Sequence, residues 1–205
     1  LNLENNKKIL ITGAGGFVGK NLTATLIQKG YTDLYLYDRE STQEKLEKFC
    51  SDCDFVFHLA GVNRPVDPKE FYEGNTDFSK TLLDTLKKAD NRCPVIVSSS
   101  IQALLDNDYG KSKKMGEDLF LANGFNPAYI VRLYGVFGKW SRPNYNTVVA
   151  TFMYNVAHGL PLQINNPDHE LTLCYIDDVV AKFVDIMENP GDYKPGFFEI
   201  DTLHK

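Results

Sequence analysis

Short apolar runs alternate with longer segments of helical periodicity along most of the chain. Nearly every position in the runs is hydrophobic, and they lie at residues 7–12, 34–37, 54–60, 95–97 and 129–137. The segments between them repeat apolar residues at helical spacing, over 17–29, 42–49, 70–88 and 109–121. Strands that are apolar throughout are typical of a parallel sheet with helices on both faces. The pattern therefore predicts an α/β fold, a Rossmann-type doubly wound domain over residues 7–138.

Beyond residue 138 the pattern changes. Residues 139–146 are polar, aromatic and proline-containing, as active-site loops often are. Further elements are predicted as helices over 147–159 and 177–189 and strands at 171–175 and 197–200. We expect residues 139–205 to form a small, truncated substrate-binding lobe that is interleaved with the Rossmann sheet.

Composition narrows the function classes. The 205 residues are 43% hydrophobic, and 22 basic against 27 acidic side chains leave a net charge of −5, so the basic footprint of a nucleic-acid-binding protein is missing. No apolar run approaches the length of a membrane span. Four scattered cysteines do not make a disulfide framework, and the C-x-x-C of Cys50 and Cys53 lacks the second ligand pair that zinc needs. We expect a reduced, cytoplasmic protein without bound metal, nucleic-acid partner or membrane insertion.

A glycine-rich loop follows the first predicted strand. Gly13, Gly16 and Gly19 lie three residues apart between that strand and a helix. The first glycine allows a tight turn, the second lets a pyrophosphate approach the backbone, and the third lets the helix pack closely on the sheet. The helix start, with Phe17 and Val18, offers free N–H groups and a positive dipole end to a phosphate. The loop therefore predicts dinucleotide binding.

The end of the second strand carries two opposing signals for the choice of dinucleotide. Asp38 lies 19 positions beyond Gly19, where a carboxylate binds the ribose 2′-hydroxyl of NAD(H). The adjacent Arg39 favours the 2′-phosphate of NADP(H) instead. The residues leave this choice open.

A Y-x-x-x-K motif stands at the start of the predicted helix over 109–121. The spacing puts Tyr109 and Lys113 on one helical face, where the ammonium is expected to lower the tyrosine pKa from about 10. Ser98, Ser99 and Ser100 follow the fourth strand, at the carboxyl end of the sheet, where ligands bind in open α/β folds. A serine hydroxyl there can bind a carbonyl oxygen that the tyrosine protonates. Together these residues predict a proton-transfer site.

These motifs resemble the extended short-chain dehydrogenase/reductase family, whose members act mostly on nucleotide sugars. The matching strings are TGAGGFVG (12–19), HLAG (58–61), Asn75, SSS (98–100), YGKSK (109–113), the strand of Arg132 and YIDD (175–178). Longer strings are similar to the family's reductases of capsular-polysaccharide precursor synthesis, namely HLAGVNRP (58–65), SSSIQA (98–103), DYGKSK (108–113), FGKW (137–140), PNYN (143–146) and ELTL (170–173).

The resemblance implies an NADPH-dependent reduction, with NADH not excluded, of UDP-2-acetamido-2,6-dideoxy-hexos-4-ulose to the L-talo sugar. By motif match Ser100 holds the carbonyl, Tyr109 supplies the proton, and Lys113 lowers the tyrosine pKa and holds the nicotinamide ribose. Cofactor contacts are expected, besides the glycine loop, Asp38 and Arg39, at Leu59, Ala60, Gly61, Asn75, Ser98, Tyr109 and Lys113. Substrate contacts are expected at Asn63, Arg64, Ser100 and Gln102.

Two positions depart from the family pattern. Gly135 stands where many members carry an asparagine that meets the sugar diphosphate, and Leu171 stands where many carry an arginine. We expect Lys139, Arg142 and Asn144 to supply the diphosphate contacts instead.

The resemblance also implies a homodimer built from two helices per subunit, here over 70–88 and 109–122. The cupin domain that follows the reductase in the similar enzymes is expected to be absent. A 4-epimerase uses the same serine, tyrosine and lysine and stays an alternative, as does a cofactor-binding sensor without turnover. A 4,6-dehydratase is disfavoured, because Ser100 is followed by Ile101 and Gln102 and not by an acid pair.

Overall fold

Six parallel strands form the central sheet of the computed structural model, which describes residues 6–145, 147–164 and 166–204. The strands in chain order are β1 (Ile9–Thr12), β2 (Leu34–Tyr37), β3 (Phe55–His58), β4 (Val95–Ser100), β5 (Ala128–Leu133) and β8 (Gly196–Phe198). Their order across the sheet is β2-β1-β3-β4-β5-β8. The chain crosses from one side of β1 to the other between β2 and β3. That switch point is where ligands bind in such sheets.

Helices cover both faces of this sheet, as predicted. The helices of the described residues are α1 (Phe17–Gln28), α2 (Gln43–Cys50), α3 (Lys69–Tyr72), α4 (Phe78–Lys88), α5 (Asp108–Asn123), α6 (Val148–Ala157) and α7 (Ile176–Glu188). On one face Ile9 and Ile11 pack with α1 and α7, and on the other Leu10 packs with α2, α4 and α5. The doubly wound α/β fold is confirmed. No helix in the described part of the chain is long and apolar enough to cross a membrane.

Several element boundaries differ from the sequence-based prediction. The fourth strand does not stop before the serines, because Ser98 to Ser100 stay paired in register with Val131 to Leu133 of β5. Backbone pairing does not require apolar side chains. The predicted strand over 129–137 is two strands, since β6 (Gly135–Phe137) leaves the main sheet and pairs with β7 (Leu173–Tyr175).

The predicted helix over 70–88 is also interrupted. A wider, π-helical turn (Glu73–Asp77) separates α3 from α4 and contains the buried Asn75. Such turns often occur at functional sites. The expected division at residue 138 stays a prediction, although β8 does join the main sheet beside β5.

Candidate active site

The glycine loop lies at the switch point of the sheet and leaves no room for side chains. Gly13 has a φ of +71°, and a Cβ there would lie 2.7 Å from the backbone nitrogen of Ala60 after β3. A Cβ on Gly19 would lie 2.2 Å from the Gly13 carbonyl oxygen. Gly16 precedes α1 and brings no side chain to its first N–H groups. These features fit a dinucleotide, because they let a pyrophosphate reach the backbone and the helix N-terminus.

Asp38 lies beside this loop. Its two carboxylate oxygens each accept from the Gly15 backbone nitrogen at 2.9 Å, so the end of β2 is bonded to the loop. Arg39 is exposed next to it. Both residues therefore stand at the loop where the sequence predicts the ribose to bind.

Lys113 lies against several of the other predicted cofactor residues. Its ammonium donates to the Ser98 carbonyl oxygen at 3.1 Å. A Cβ on Gly61 would be 3.0 Å from the Lys113 Nζ and 2.7 Å from Asn75 Oδ1. The surrounding protein desolvates the ammonium and lowers the pKa of Lys113 to about 8, and the Glu117 carboxylate opposes this shift.

Asn75 joins the segment after β3 to α5 by hydrogen bonds. Its Oδ1 accepts from the Val62 nitrogen at 2.9 Å, and its Nδ2 donates to the Val62 carbonyl and to Ser112 Oγ. Ser112 in turn donates to the Tyr109 carbonyl oxygen at 2.8 Å. Asn75 thus helps to place Gly61 and Tyr109 relative to each other.

Tyr109 begins α5 next to the end of β4. Asn107 caps this helix by accepting from the Gly110 nitrogen at 2.8 Å, and Gly110 allows close approach to the Gln102 carbonyl oxygen. Burial raises the pKa of Tyr109, and a hydrogen bond with Ser100 acts in the opposite direction. The net shift of this pKa is therefore upward in this structure, because desolvation of the phenol is its largest cause, and the lowering by Lys113 stays a prediction.

A buried ion pair between Arg132 and Glu117, which the sequence did not predict, lies near Lys113. Arg132 Nε and Nη2 donate to the two oxygens of Glu117 at 2.9 and 2.7 Å, and Ser99 Oγ donates to the first of them at 2.7 Å. Glu117 is 1% exposed. Two signals were available: Glu117 stands four residues after Lys113, and Arg132 interrupts an apolar strand.

His58, part of the HLAG string, connects β1 to α4. Its Nδ1 lies 2.9 Å from Thr12 Oγ1 and its Nε2 lies 3.0 Å from Ser79 Oγ. Because Ser79 donates to the Asn75 carbonyl oxygen, these partners fit a neutral ring protonated at Nε2. Burial lowers the pKa of His58 to about 3, and the charge of Lys113 adds to this effect.

The two predicted substrate loops meet in the structure. Arg64 Nη1 donates to the Asn144 carbonyl oxygen at 3.1 Å, which joins positions 80 residues apart. Lys139 instead pairs with Asp177 at 3.0 Å, and its carbonyl oxygen accepts from Asn21 of α1. Trp140 and Asn144 both have positive φ angles, of 66° and 58°. Such strained non-glycine backbone is typical of ligand-binding segments.

The remaining predicted substrate residues are exposed, namely Asn63, Gln102 and Arg142. The Gln102 nitrogen donates to Ser100 Oγ at 3.2 Å. Asn146, the last residue of the PNYN string, lies outside the described residues.

Comparison with known proteins decides the family. Residues 9–200 match the NAD dependent epimerase/dehydratase family, which is nearly the whole chain. The chain belongs to this family. The family expected from the sequence motifs is thereby confirmed.

Individual members are similar to different degrees. A Pseudomonas aeruginosa UDP-2-acetamido-2,6-beta-L-arabino-hexul-4-ose reductase is 47% identical over 184 residues, which are 88% of this chain and 50% of that protein. An Arabidopsis thaliana UDP-glucuronate 4-epimerase 6 is 27% identical over 241 residues, covering 88% of this chain and 51% of the relative.

Solved structures extend the comparison. The capsular polysaccharide assembling protein CapF of Staphylococcus aureus superposes with a TM-score of 0.84 at 41% identity, over 96% of this chain and 54% of that one. A Bacillus cereus UDP-glucuronic acid 4-epimerase in complex with NAD has a TM-score of 0.82 at 21% identity, over 96% of this chain and 79% of that one, which shows the fold alone. The chain spans about half the length of the reductase and of CapF.

Proposed function

We propose that the chain is the catalytic portion of an NAD(P)H-dependent reductase that acts on a nucleotide-linked 4-keto-6-deoxy amino sugar. The observation that carries this proposal is the hydrogen bond between Tyr109 and Ser100 at the end of β4, where Lys113 donates to the Ser98 carbonyl oxygen. The 47% identical relative that is named as such a reductase supports the substrate class, UDP-2-acetamido-2,6-dideoxy-hexos-4-ulose. The L-talo product is proposed from the resemblance of the sequence motifs. The CapF match supports a place in capsule or surface polysaccharide precursor synthesis.

The residues divide the reaction among them. The glycine loop and Lys113 would hold a reduced nicotinamide dinucleotide, which would supply the hydride that the C4 carbonyl carbon receives. Ser100 binds the carbonyl oxygen, and Tyr109 donates its phenolic proton to that oxygen as negative charge develops there. The raised pKa of Tyr109 keeps the phenol protonated at neutral pH, as a proton donor requires. The Lys113 ammonium then stabilises the phenolate that remains and binds the nicotinamide ribose.

For the dinucleotide we propose NADPH, with NADH as the alternative. Arg39 is exposed and available to a 2′-phosphate, while the Asp38 carboxylate is directed to the Gly15 nitrogen. Arg39→Ala is expected to reduce the preference for NADPH over NADH, measured as the ratio of the two kcat/KM values. An unchanged ratio would assign the selection to other residues.

The function is tested by following NADPH and NADH oxidation with a UDP-4-keto-6-deoxy-N-acetylhexosamine. Tyr109→Phe is expected to lower kcat by roughly 10²–10⁴-fold, the usual effect of removing a positioned acid, and to weaken dinucleotide binding far less, since only one of the predicted cofactor contacts is lost. Tyr35→Phe, a tyrosine on the second strand away from the serines, is the matched control. Turnover that survives in Tyr109→Phe would reject the proposed acid.

A 4-epimerase is the second candidate, since a solved structure named as a UDP-glucuronic acid 4-epimerase shares the fold and that reaction can use a serine, a tyrosine and a lysine of this kind. Product analysis separates the two, because an epimerase inverts C4 with no net oxidation of NADPH. Dinucleotide binding without any turnover would instead support a sensor.

Further parts of the proposal concern assembly. We place the protein in the cytoplasm, in keeping with its four free, buried cysteines.

A homodimer is proposed through the α3–α4 segment and α5, where Met115 and Leu121 expose apolar side chains on α5. Sedimentation velocity on Met115→Glu tests this, and an unchanged dimer would exclude that face. Residues 139–205 are proposed as part of the substrate-binding lobe.

A further inference from the structure

The space beside the Lys113 side chain is very small and is lined by both polar and apolar groups. A cavity of about 10 Å³ lies between α5, α4 and the ends of β3 and β4, close to the least room that one water molecule needs. Lys113 and Glu117 both line it, together with His58, Asn75 and Ser99. Lys113 and Glu117 therefore border the same small space.

The backbone places these two side chains together. Lys113 and Glu117 are four residues apart on α5, so they lie on the same helical face, with Cβ atoms about 5–6 Å apart in a regular helix. Burial of an ammonium favours its neutral form, and a nearby carboxylate favours the charged form. Glu117 is thus the buried negative charge that can offset the desolvation of Lys113.

The carboxylate itself is held from the opposite side by two neighbouring strands. Ser99 of β4 and Arg132 of β5 are paired in register, so both side chains leave the sheet at the same level toward Glu117. Arg132 is oriented in turn by Phe197 of β8, whose ring centre lies 4.1 Å from the guanidinium carbon. The cluster spans α5 and three strands.

From this geometry we propose that Glu117 is a positioning residue that keeps Lys113 in its ammonium form, while Ser99 and Arg132 hold its carboxylate in place. The inference rests on the proposed function only for the use that catalysis makes of Lys113. The charge of Lys113 itself can be measured without substrate or cofactor.

Other groups around Lys113 do not change charge in the same pH range. His58 from β3 has a pKa of about 3 and stays neutral, and burial keeps the pKa of Tyr109 on α5 above its usual range. Asn75 from the π-helical turn and Ser79 from α4 contribute uncharged groups. Titration near pH 8 at this position therefore belongs to Lys113.

The experiment titrates Lys113 directly, in chain labelled with ¹³C at lysine Cε and free of cofactor. The Lys113 resonance is identified by its loss in Lys113→Met. In Glu117→Gln the titration midpoint is expected to fall by about one pH unit or more, the effect of removing a nearby opposite charge. In Glu117→Asp, which retains the negative charge, the midpoint is expected to lie close to the wild-type value.

Arg132→Gln is the decisive control because it breaks the same ion pair. Both variants are expected to lower the melting temperature, since each leaves a buried charge or dipole without its partner. Their effects on Lys113 differ in sign: loss of the arginine leaves the negative charge, so the midpoint stays or rises. A purely structural ion pair would shift the midpoint in the same direction in both variants.

An unchanged midpoint in Glu117→Gln overturns the proposal. If that variant does not fold, the double variant Glu117→Gln/Arg132→Gln removes both charges and leaves two amides that can bond each other. Its midpoint is expected below that of the wild type, and a midpoint equal to the wild type overturns the proposal equally. Failure of the reductase assay with a normal Lys113 titration would count against the proposed function alone.

Discussion

Two regions of the molecule differ in which side chains they bury. One is the sheet with its covering helices, and the other is the described part of residues 138–171. In the sheet region polar groups are buried and bonded, as with His58, Asn75 and Glu117. In residues 147–164 apolar groups are exposed, with Met153 at 69% and Val156 at 67%, and none of the ten residues of α6 is buried.

This difference has a physical meaning. A buried polar group is tolerated only where its partners are held in place, so the sheet region contains its own determinants of geometry. A helix that is apolar on most sides normally packs on several elements. Within the described residues α6 does not, and its contribution to stability is therefore expected to be small.

The largest effect that tests this difference in packing is expected from truncating one apolar side chain in each region. Leu82→Ala removes a fully buried side chain of α4 and is expected to lower the free energy of unfolding by about 2–5 kcal/mol. Met153→Ala in α6 is expected to change it by less than about 0.5 kcal/mol. Urea unfolding followed by circular dichroism measures both. Equal losses would show that α6 is packed in solution.

A second pair of variants adds one methyl group at a tightly packed glycine and at an open one. Gly19→Ala is expected to cost about 1–3 kcal/mol and to weaken NADPH binding, because its Cβ meets backbone atoms of the glycine loop. Gly191→Ala, in the turn Pro190–Asp192, meets nothing within 4 Å and is expected to be nearly neutral. Thermal unfolding and calorimetric NADPH titration give the two readouts. Unimpaired binding by Gly19→Ala would contradict the assignment of the loop.

The buried histidine makes the sheet region sensitive to acid. The pKa of His58 is lowered from 6.5 to about 3 in the folded chain, so below pH 6.5 only the unfolded state takes up this proton. The contribution of His58 is complete above pH 6.5 and is lost by up to about 1.4 kcal/mol per pH unit as the pH falls toward 3.

Two histidine variants isolate this effect. His58→Gln is expected to flatten the acid side of the stability profile, measured by urea unfolding between pH 7 and 5 as a change of about 1–2 kcal/mol. His158→Gln, at the exposed end of α6, is the matched control and is expected to leave the profile unchanged. A profile unaffected by His58→Gln would mean that the ring titrates normally.

The smallest effect on stability is expected where the two regions touch. Arg64→Ala removes the bond to the Asn144 carbonyl oxygen and is expected to change the free energy of unfolding by less than about 0.5 kcal/mol, since both groups are exposed. It should raise KM for the sugar nucleotide with little change in kcat, which steady-state kinetics would show. Arg92→Ala, at an exposed site on the other side of the sheet, is the control. An unchanged KM would remove Arg64 from the substrate site.

Contiguous motifs explain why much of the site could be predicted. The glycine loop and Y-x-x-x-K each carry their chemistry within eight residues, and a strand or helix beside them sets their direction. The apolar periodicity likewise predicted the sheet and its covering helices. The break at Tyr134 between β5 and β6 was missed, because an apolar run does not show which of two sheets its second half joins.

The sequence by itself determined the α/β class, the dinucleotide loop and the candidate serine, tyrosine and lysine, since each depends on local spacing and hydrophobic pattern. Only the tertiary structure decided that Ser99, Glu117 and Arg132 form one cluster, because that depends on the register between β4 and β5. It also decided the sign of the Tyr109 pKa shift. Desolvation depends on every atom packed around a group, and no short stretch of sequence contains that information.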